Sequence, residues 1–423
     1  MKGFVRKNAV MSVVLGINMH KSATRDRPSK IYATSRMKEM MSLYYLEAKN
    51  AADNGRKVAW ITGGGPVELL IAMDVIPVYP ENHAAMCGAA RMGVELSRVA
   101  EQAGYSPDIC SYARCDIGSY LTGKSPILGL PRPDFVMCCN NTCGMVTKWY
   151  EVLARHFGVP LVYFDMPYSH EELTGHALEY IERQIHRAIS QIESLVGERF
   201  DMERFVEVAT RSSRASRLWG EVLEICRHTP SPMTAFDGFI LMAPIVTLRG
   251  TPEVIDFYEQ LKQELEQRVS SGLAAVPDER FRLLWDNLPI WFRLRDLSEV
   301  FGGLGACVVA STYLNGWVSY ELDPSRPIES LARAYSSAFI NMSIEHRARL
   351  MRRIIEDYSI DGVVYHSNRS CRPYSFGQYD IKKMLTEWTG VPGILIEADM
   401  TDERAYADGP VRTRIEAFIE TLQ

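Results

Sequence analysis

Three cysteines of this sequence lie in polar turns, where their thiols are available for chemistry. Cys110, Cys143 and Cys371 are far apart in the chain, and their neighbours include asparagine, threonine, serine and arginine. Buried structural cysteines prefer apolar surroundings, so this setting is atypical. Three thiolates are able to hold three irons of a 4Fe–4S cluster and to leave the fourth iron open to water or substrate. Ordinary buried thiols are the alternative explanation.

Other thiol chemistry fits the sequence poorly. No C-x-x-C pair occurs with a second C-x-x-C or an H-x-x-H, as a zinc ribbon or finger requires. No compact C-x-x-C-x-x-C run of the ferredoxin type occurs either. The total of nine cysteines is odd in a large chain, which argues against a secreted disulfide framework and for reduced thiols.

Two of the three cysteines are the last residues of two similar segments. Residues 134–143 read D-F-V-M-C-C-N-N-T-C and residues 361–371 read D-G-V-V-Y-H-S-N-R-S-C. Each segment begins as an apolar run, turns polar at asparagine and ends on a cysteine before a predicted helix. A Gly-Val-Pro triplet and another apolar run follow both, at 158–160 and 390–392. This repeat predicts two similar α/β halves, each with a thiol at the carboxyl edge of its sheet.

The rest of the chain supports that organisation. Apolar runs alternate with helical patterns on both sides of two long helical stretches, 171–196 and 202–228. Such alternation favours parallel sheets covered by helices. We therefore predict an α/β protein with two Rossmann-like parallel-sheet domains and a helical segment between them. The predicted units are an irregular arm at 1–35, an N-terminal α/β domain at 36–169, a helical domain at 170–275 and a C-terminal α/β domain at 276–423.

The composition of the chain argues against nucleic-acid-binding and membrane-spanning proteins. A hydrophobic fraction of 47% and a charged fraction of 23% are ordinary for a globular protein. The net charge of -5 gives no reason to expect a nucleic-acid partner. No apolar run approaches the roughly 20 residues that span a bilayer, so we predict no membrane segment and a cytoplasmic location.

Two glycine-rich motifs resemble nucleotide sites but lack the required context. Residues 118–125 match the phosphate-loop pattern G-x-x-x-x-G-K-S. The residues before them are helix-like, and three prolines soon afterwards make a long following helix improbable. Gly63-Gly64-Gly65 follows a predicted strand, but Glu68 stands where the last glycine of G-x-G-x-x-G belongs. Glu81 could be the acidic residue that a dinucleotide site needs further along, but Pro80 and His83 predict a loop there instead of a strand end. We interpret the glycine turn as a place where a substrate or cluster approaches the backbone.

Several longer motifs resemble the 2-hydroxyacyl-CoA dehydratase and benzoyl-CoA reductase family, from about residue 36 to the end. They are Y-P-E-N-H-A-A at 79–85, G-Y-S-P-D-I-C-S-Y-A-R at 104–114, P-D-F-V-M-C-C-N-N-T-C at 133–143, K-W-Y-E at 148–151, R-G-T at 249–251, Y-H-S-N-R-S-C at 365–371 and R-T-R-I-E at 412–416. The likeness is strongest to the dehydratase subunit that binds the acyl-CoA. It implies that Cys110, Cys143 and Cys371 ligate one 4Fe–4S cluster, whereas Cys115, Cys138 and Cys139 are supporting or core residues.

The resemblance also implies a reaction. One strongly reducing electron converts the thioester carbonyl of a 2-hydroxyacyl-CoA to a ketyl radical, which expels the α-hydroxyl. The β-proton then becomes acidic enough for a protein base. Glu81 matches a carboxylate near the family's substrate site, and His366 and Arg369 lie beside Cys371, where they could contact the cluster or the thioester. A turn-capping role for Glu81 and a purely structural role for His366 and Arg369 remain open.

Three partners are implied as well: the acyl-CoA substrate, a homologous second subunit in a heterodimer, and an ATP-hydrolysing iron–sulfur activator. The sequence departs from the family pattern at one important position. Dehydratases of the family have a serine near the position of Gly63. Its absence makes an aromatic acyl-CoA reductase, a benzoyl-CoA reductase subunit, the main alternative. A third possibility is a non-catalytic subunit that relays electrons.

Overall fold

The computed structural model describes residues 31–170, 173–318 and 320–423. Most of the predicted arm at 1–35 lies outside the described residues. Its last residues already belong to the first described helix, α1 (Ala33–Lys49). That helix is bonded to the helical segment of the chain, because Glu264 accepts hydrogen bonds from the backbone N–H groups of Tyr32 and Ala33.

The first sheet has four parallel strands in the order β2-β1-β3-β4. The strands are β1 (Val58–Ile61), β2 (Ile76–Val78), β3 (Phe135–Cys139) and β4 (Leu161–Phe164). The helices that accompany them are α2 (Val67–Ala72), α3 (Pro80–Ala89), α4 (Gly93–Gln102), α5 (Ser111–Thr122) and α6 (Gly144–Phe157). The strand order reverses between β1 and β3, and loops at such a switch point form a crevice outside the carboxyl ends of the strands.

A helical segment follows the first sheet. It contains α7 (Gly175–Val196), α8 (Met202–Ile225), α9 (Ala235–Leu241), α10 (Ala243–Thr247) and α11 (Pro252–Ser270). Thr174 and Asp201 cap the two longest helices with their side chains, which explains why these helices begin there. The long helical patterns predicted around 171–196 and 202–228 are confirmed within a few residues.

The second sheet repeats the topology of the first, with parallel strands in the order β6-β5-β7-β8. The strands are β5 (Phe281–Asp286), β6 (Ala306–Ser311), β7 (Gly362–Asn368) and β8 (Gly393–Ala398). The helices are α12 (Leu294–Gly303), α13 (Thr312–Asn315), α14 (Pro327–Ser336), α15 (Ile344–Asp357), α16 (Arg372–Ser375), α17 (Gln378–Thr389) and α18 (Asp408–Glu420). Short 3-10 helices lie at Ala52–Asn54, Trp291–Arg293, Phe339–Asn341 and Glu403–Ala405. The predicted fold class is confirmed.

Burial along the strands explains why the sheets form. Every residue of β1, β3, β5 and β6 is buried. Parallel strands that are covered by helices on both faces read as nearly continuous apolar runs, as β1 and β3 do, whereas β5 also contains Arg282 and Asp286. Of the four edge strands, β2 and β6 are buried, whereas β4 and β8 are only partly buried. None of the described helices is long and apolar enough to cross a membrane.

One local prediction is wrong. The sequence Pro80-Glu81-Asn82-His83 looks like a loop, but it forms the first turn of α3. Proline is compatible with the first helical position, because its missing N–H would have no partner there in any case. The correction matters for the site, since it places Glu81 at the positive end of a helix.

Candidate active site

The three polar-turn cysteines each lie immediately before a helix. Cys110 precedes α5, Cys143 precedes α6 and Cys371 precedes α16. All three are free and partly buried, and they pack against the same hydrophobic cluster. The Cys110 and Cys371 loops are bonded directly, because the Ser111 N–H donates to Ser370 Oγ at 3.1 Å. The fold therefore gathers thiols from both α/β domains at one place.

Electrostatics supports this grouping. Burial raises the pKa of Cys110 well above its usual range, and the nearby Cys371 and Cys143 thiols raise it further. Burial raises the pKa of Cys371 to about 12, with Cys143 as the next cause. Burial likewise raises the pKa of Cys143, while the backbone amides of Val146 and Met145 oppose the rise. Thiols without a counter-charge are therefore protonated here, and a cationic partner is needed to hold them as thiolates.

Thiolates are the usual protein ligands of iron–sulfur clusters, so the three cysteines are donors of a suitable chemical type for one. Among the described residues, no group of three or more His, Cys, Asp or Glu side chains is arranged to hold one metal ion. A mononuclear site needs all its sulfur ligands about 2.3 Å from one atom. A cluster instead takes each thiolate on a different iron, so its ligands stand further apart. Backbone amides at the three helix starts also favour negative charge at this place. The 4Fe–4S cluster with three cysteine ligands stays a prediction.

Glu81 lies near this group and is held by two donors. Its Oε1 accepts from the Gly63 N–H at 3.1 Å, and its Oε2 accepts from the Tyr150 hydroxyl at 2.9 Å. Burial raises the pKa of Glu81 to about 7, although the two hydrogen bonds lower it. The charge of Asp116 contributes a further, smaller rise. Glu81 also raises the pKa of Cys143, which places the carboxyl group within electrostatic reach of that thiol. A carboxyl group with this pKa exchanges protons readily near neutral pH.

If Glu81 acts as a base, turnover should depend on pH in a specific direction. The pKa is raised, so the active carboxylate form is present above about pH 7 and is lost as the pH falls. We expect kcat/KM to drop about tenfold per pH unit below that value, since only the ionised fraction of the free enzyme reacts. Initial rates on both sides of that pKa measure this effect, with the cluster absorbance as a control for integrity. A profile that is flat across the pKa would contradict the assignment.

Aromatic side chains pack beside the three cysteines. Burial raises the pKa of Tyr313, and the charges of Glu81 and Cys371 contribute next, so this hydroxyl lies within reach of both groups. Trp291 donates a hydrogen bond to the Tyr112 hydroxyl, and Phe339 packs against Tyr374 with ring centroids 5.8 Å apart. These side chains belong to the same hydrophobic cluster as the three cysteines, and together they form an aromatic wall beside them.

The glycine turn at 63–65 is hydrogen-bonded to the loop that precedes Cys143. The Asn141 side chain donates to the Gly64 carbonyl and to the Tyr335 carbonyl, both at 2.9 Å. Tyr335 in turn donates to Glu68 at 2.6 Å and accepts from Arg249 at 2.7 Å. Arg249 and Glu68 form a fully buried ion pair at 3.1 Å. Residues from three parts of the chain thus fix the turn that holds Glu81.

This close contact makes Gly64→Ala a sensitive probe. A Cβ at Gly64 would lie 2.7 Å from both Asn141 Oδ1 and Thr142 Cγ2, so the Cys143 loop would have to move. We expect a loss of about 1–3 kcal/mol in the free energy of unfolding, as for other overpacked sites. Gly63→Ala is the matched control, because its Cβ would meet only the Trp317 ring, at 3.9 Å. Anaerobic chemical denaturation compares the two variants, and equal stability would refute the packing argument.

The surroundings of His366 and Arg369 differ from those of the three cysteines. His366 is fully buried on β7, with Nδ1 2.6 Å from the Leu288 carbonyl oxygen and its ring 5.8 Å from that of Trp285. Burial lowers the pKa of His366 to about 4, so the ring is neutral at physiological pH. The Arg369 side chain is 69% exposed and lies 3.6 Å from Glu397. The catalytic role of His366 and the cofactor-binding role of Arg369 both stay predictions.

Three of the other six cysteines lie close in sequence to the site cysteines. Cys115, Cys138 and Cys139 are completely buried in the hydrophobic core, as the sequence indicates for supporting or core residues. The phosphate-loop pattern is a coincidence of spacing. Gly118 lies inside α5, and Lys124 and Ser125 come after the end of that helix rather than at the start of one. A phosphate loop needs the opposite arrangement.

Several residues of the site could not be identified from the sequence. Tyr150 is 69 residues from Glu81 in the chain, and Tyr313 and Tyr335 come from the other half. Tyr150 lies in the K-W-Y-E segment, which is the only sequence signal that could have indicated it. Asn141 is visible in the sequence as a polar residue before Cys143, but its role as a brace for the glycine turn depends on tertiary contacts.

The fold and site together define an α/β protein in which loops from two parallel sheets bring three cysteines into one cluster. The chain belongs to the family described as 2-hydroxyglutaryl-CoA dehydratase, D-component, which matches residues 64–422. It is accordingly an enzyme of the dehydratase type.

Three relatives illustrate the range of that family. The chain is 33% identical to the (R)-2-hydroxyisocaproyl-CoA dehydratase alpha subunit of Clostridioides difficile, over 91% of this chain and 95% of the relative. It is 31% identical to the lactoyl-CoA dehydratase subunit alpha of Anaerotignum propionicum, over 92% and 98%. It is 29% identical to a benzoyl-CoA reductase subunit of Thauera aromatica, over 92% and 94%.

Proposed function

We propose that the chain is the iron–sulfur subunit of a 2-hydroxyacyl-CoA dehydratase, which removes water from an (R)-2-hydroxyacyl-CoA by ketyl-radical chemistry. The observation that carries the proposal is the convergence of Cys110, Cys143 and Cys371 at three helix starts, with Glu81 within electrostatic reach. Similarity to dehydratase alpha subunits over nearly the whole chain supports the same reaction class.

In this proposal the cysteines hold a 4Fe–4S cluster with one open iron. When bound, such a cluster supplies the strongly reducing electron that the substrate thioester needs. The protein's own contribution is to hold three ligands from two domains in one place and to exclude water with the aromatic wall. Glu81 takes the β-proton of the substrate as a carboxylate. Its two hydrogen bonds, from Gly63 and Tyr150, fix the orientation of that group.

We further propose three partners. The acyl-CoA thioester is the substrate, and a homologous second subunit completes a heterodimer. An ATP-hydrolysing iron–sulfur activator delivers the electron. The names of the two dehydratase relatives, which call them alpha subunits, support the second subunit. The activator follows from the chemistry, because a reaction of this kind starts only after a low-potential electron has been supplied.

A benzoyl-CoA reductase subunit is the second candidate, and one observation favours it. Gly63 offers no side-chain hydroxyl at the turn beside Glu81, although the turn has room for one. A substrate that lacks an α-hydroxyl, such as an aromatic acyl-CoA, does not need that group. The relative from Thauera aromatica is a reductase subunit of similar coverage.

Product analysis separates the candidates. The chain is purified anaerobically with its second subunit and activator and incubated with ATP and lactoyl-, phenyllactyl- or benzoyl-CoA. Mass spectrometry of the acyl-CoA detects loss of water for a dehydratase and gain of two hydrogens for a reductase. We expect loss of water from one 2-hydroxyacyl-CoA. If every acyl-CoA is unchanged while the cluster is intact, both enzyme assignments fail and an electron-relay role gains support.

A further inference from the structure

A fully buried ion pair lies behind the glycine turn. The side chains of Arg249 and Glu68 are not exposed at all, and Arg249 Nε lies 3.1 Å from Glu68 Oε1. Ser212 donates to the same carboxylate oxygen at 2.6 Å, and the Tyr335 hydroxyl donates to the other oxygen at 2.6 Å. Removing two charges from water costs so much free energy that such a pair is often no more stabilising than apolar residues of similar volume. The pair therefore needs an explanation other than stability.

Three segments of the chain meet at this pair. Arg249 comes from the R-G-T turn between α10 and α11, Glu68 from α2, and Tyr335 from α14. The R-G-T turn packs closely on α2, because Gly250 has a φ of 92° and a Cβ there would lie 3.2 Å from Ile71 Cδ1. Arg249 is thus held against α2 by packing as well as by charge.

The guanidinium group of Arg249 joins the three segments. Its Nη2 donates to the Tyr335 hydroxyl at 2.7 Å while its Nε binds Glu68, and its central carbon lies 4.2 Å from the ring centroid of Tyr320. The Tyr335 hydroxyl also accepts from the Val67 N–H at 3.3 Å, at the start of α2. One cation therefore fixes the tyrosine that binds the first turn of the helix after the glycine turn.

Tyr335 also reaches the glycine turn from the other side. Its backbone carbonyl accepts from the Asn141 side chain, which donates as well to the Gly64 carbonyl, both at 2.9 Å. An amide group has two N–H donors, and both are used here. The adjacent Gly63 N–H donates to Glu81 Oε1 at 3.1 Å. A continuous series of contacts therefore leads from the buried ion pair to the turn that binds Glu81.

We propose that Arg249 is a positioning residue for Glu81, which it serves by holding the glycine turn where the Gly63 N–H meets the carboxylate. This inference rests on the proposed role of Glu81 as the base. Proton transfer needs the base within hydrogen-bond reach of the substrate, and a displacement of about 1 Å can lower a rate about 100-fold. Lysine would keep the charge of Arg249 but not its forked contact with Glu68 and Tyr335, because an ammonium group is a point charge.

Two variants separate this role from a contribution to stability. Arg249→Lys keeps a cation beside Glu68, and the double variant Arg249→Met/Glu68→Gln removes both charges together, so neither leaves an unpaired buried charge. The complete anaerobic complex is assayed with the acyl-CoA that it converts. We expect both variants to fold, to keep the cluster absorbance and to lower kcat about 10- to 100-fold with KM little changed. Tyr335→Phe, which removes only the hydroxyl, should change kcat in the same direction.

The pH profile provides a second measurement. The Gly63 N–H lowers the pKa of Glu81, so displacement of the turn should let that pKa rise above its value of about 7. The fall in kcat/KM on the acid side should therefore begin at a higher pH in the variants than in the wild type. The charged or titratable groups that interact with Glu81 are the same in all these variants: Tyr79, Asp116, Cys138, Cys143, Tyr150 and Tyr313.

Glu279→Gln is the matched control. Glu279 is also a buried carboxylate paired with an arginine, Arg282, but its other partner is the Ser231 N–H and it lies just before β5. This variant should keep the kcat and the acid limb of the wild type, whatever it loses in stability.

The outcomes are distinct. Wild-type kcat and an unshifted acid limb in Arg249→Lys and in the double variant would overturn the positioning role, and so would an equal loss of kcat in Glu279→Gln. Loss of the cluster absorbance from both Arg249 variants would overturn it too, because the damage would then lie at the Cys143 loop. If the wild-type complex converts no acyl-CoA or shows no acid limb, the proposed function itself fails, and the positioning role fails with it.

Discussion

Cys371→Ala is expected to abolish turnover and to remove most of the iron from the anaerobically purified protein. Cys371 is the ligand that we propose from the second sheet, and its thiol lies within electrostatic reach of Cys110 and Cys143. Loss of one of three ligands leaves a cluster attached through a single domain. The effect should exceed the roughly 10- to 100-fold loss that is typical when a residue merely supports a metal ligand. Iron and sulfide analysis measures the loss of the cluster, and the product assay measures the loss of turnover.

Cys226→Ala is the matched control for this change. Cys226 is also a free, buried cysteine, but it lies in the hydrophobic core at the end of α8. Its replacement should cost about 1 kcal/mol in the free energy of unfolding and leave the iron content unchanged. Equal iron content in the Cys371 and Cys226 variants would show that the proposed ligand set is wrong.

Glu81→Gln is expected to reduce turnover by about 10²- to 10⁴-fold while the cluster spectrum is preserved. Glutamine keeps the shape of the side chain, so the Tyr150 and Gly63 contacts can largely persist. It cannot accept the substrate proton as a carboxylate does. A loss of activity with an intact cluster therefore separates proton transfer from cluster binding.

Glu95→Gln serves as the matched control for Glu81→Gln. Glu95 lies on α4, half-exposed and paired with Lys124 at the surface. Exposed ion pairs contribute little, so this variant should match the wild type in both activity and spectrum. Unchanged turnover in Glu81→Gln, or loss of the cluster from it, would each remove Glu81 from its assigned role.

Local patterns in the sequence were sufficient to predict the two sheets and most of the helices around them. The repeated strand, cysteine loop and helix around Cys143 and Cys371 predicted two sheets of the same topology, and β3 and β7 do occupy equivalent positions. Parallel strands leave continuous apolar runs, and the helical patterns between them are equally regular. The prediction of a loop at Pro80 was wrong because proline is compatible with both a loop and the first turn of a helix.

The parts that could not be predicted depend on contacts between distant residues. The Ser111–Ser370 hydrogen bond joins positions 259 residues apart, and no local pattern indicates which loops meet. The raised pKa of Glu81 arises first from burial and only then from its neighbours, and burial is a property of the folded chain. The sequence suggested that His366 is near the thiols because it precedes Cys371, but the alternation of strand residues directs the imidazole toward Trp285 and Leu288.

The central claim is that one cluster is held by Cys110, Cys143 and Cys371 with one iron left open. Mössbauer spectroscopy of the ⁵⁷Fe-labelled complex, recorded anaerobically with and without the acyl-CoA substrate, tests it most directly. We predict three irons with a common thiolate environment and a fourth with a distinct signal that changes when the acyl-CoA is added. Four equivalent irons that ignore the substrate, or a protein that binds no iron after anaerobic reconstitution, would contradict the claim.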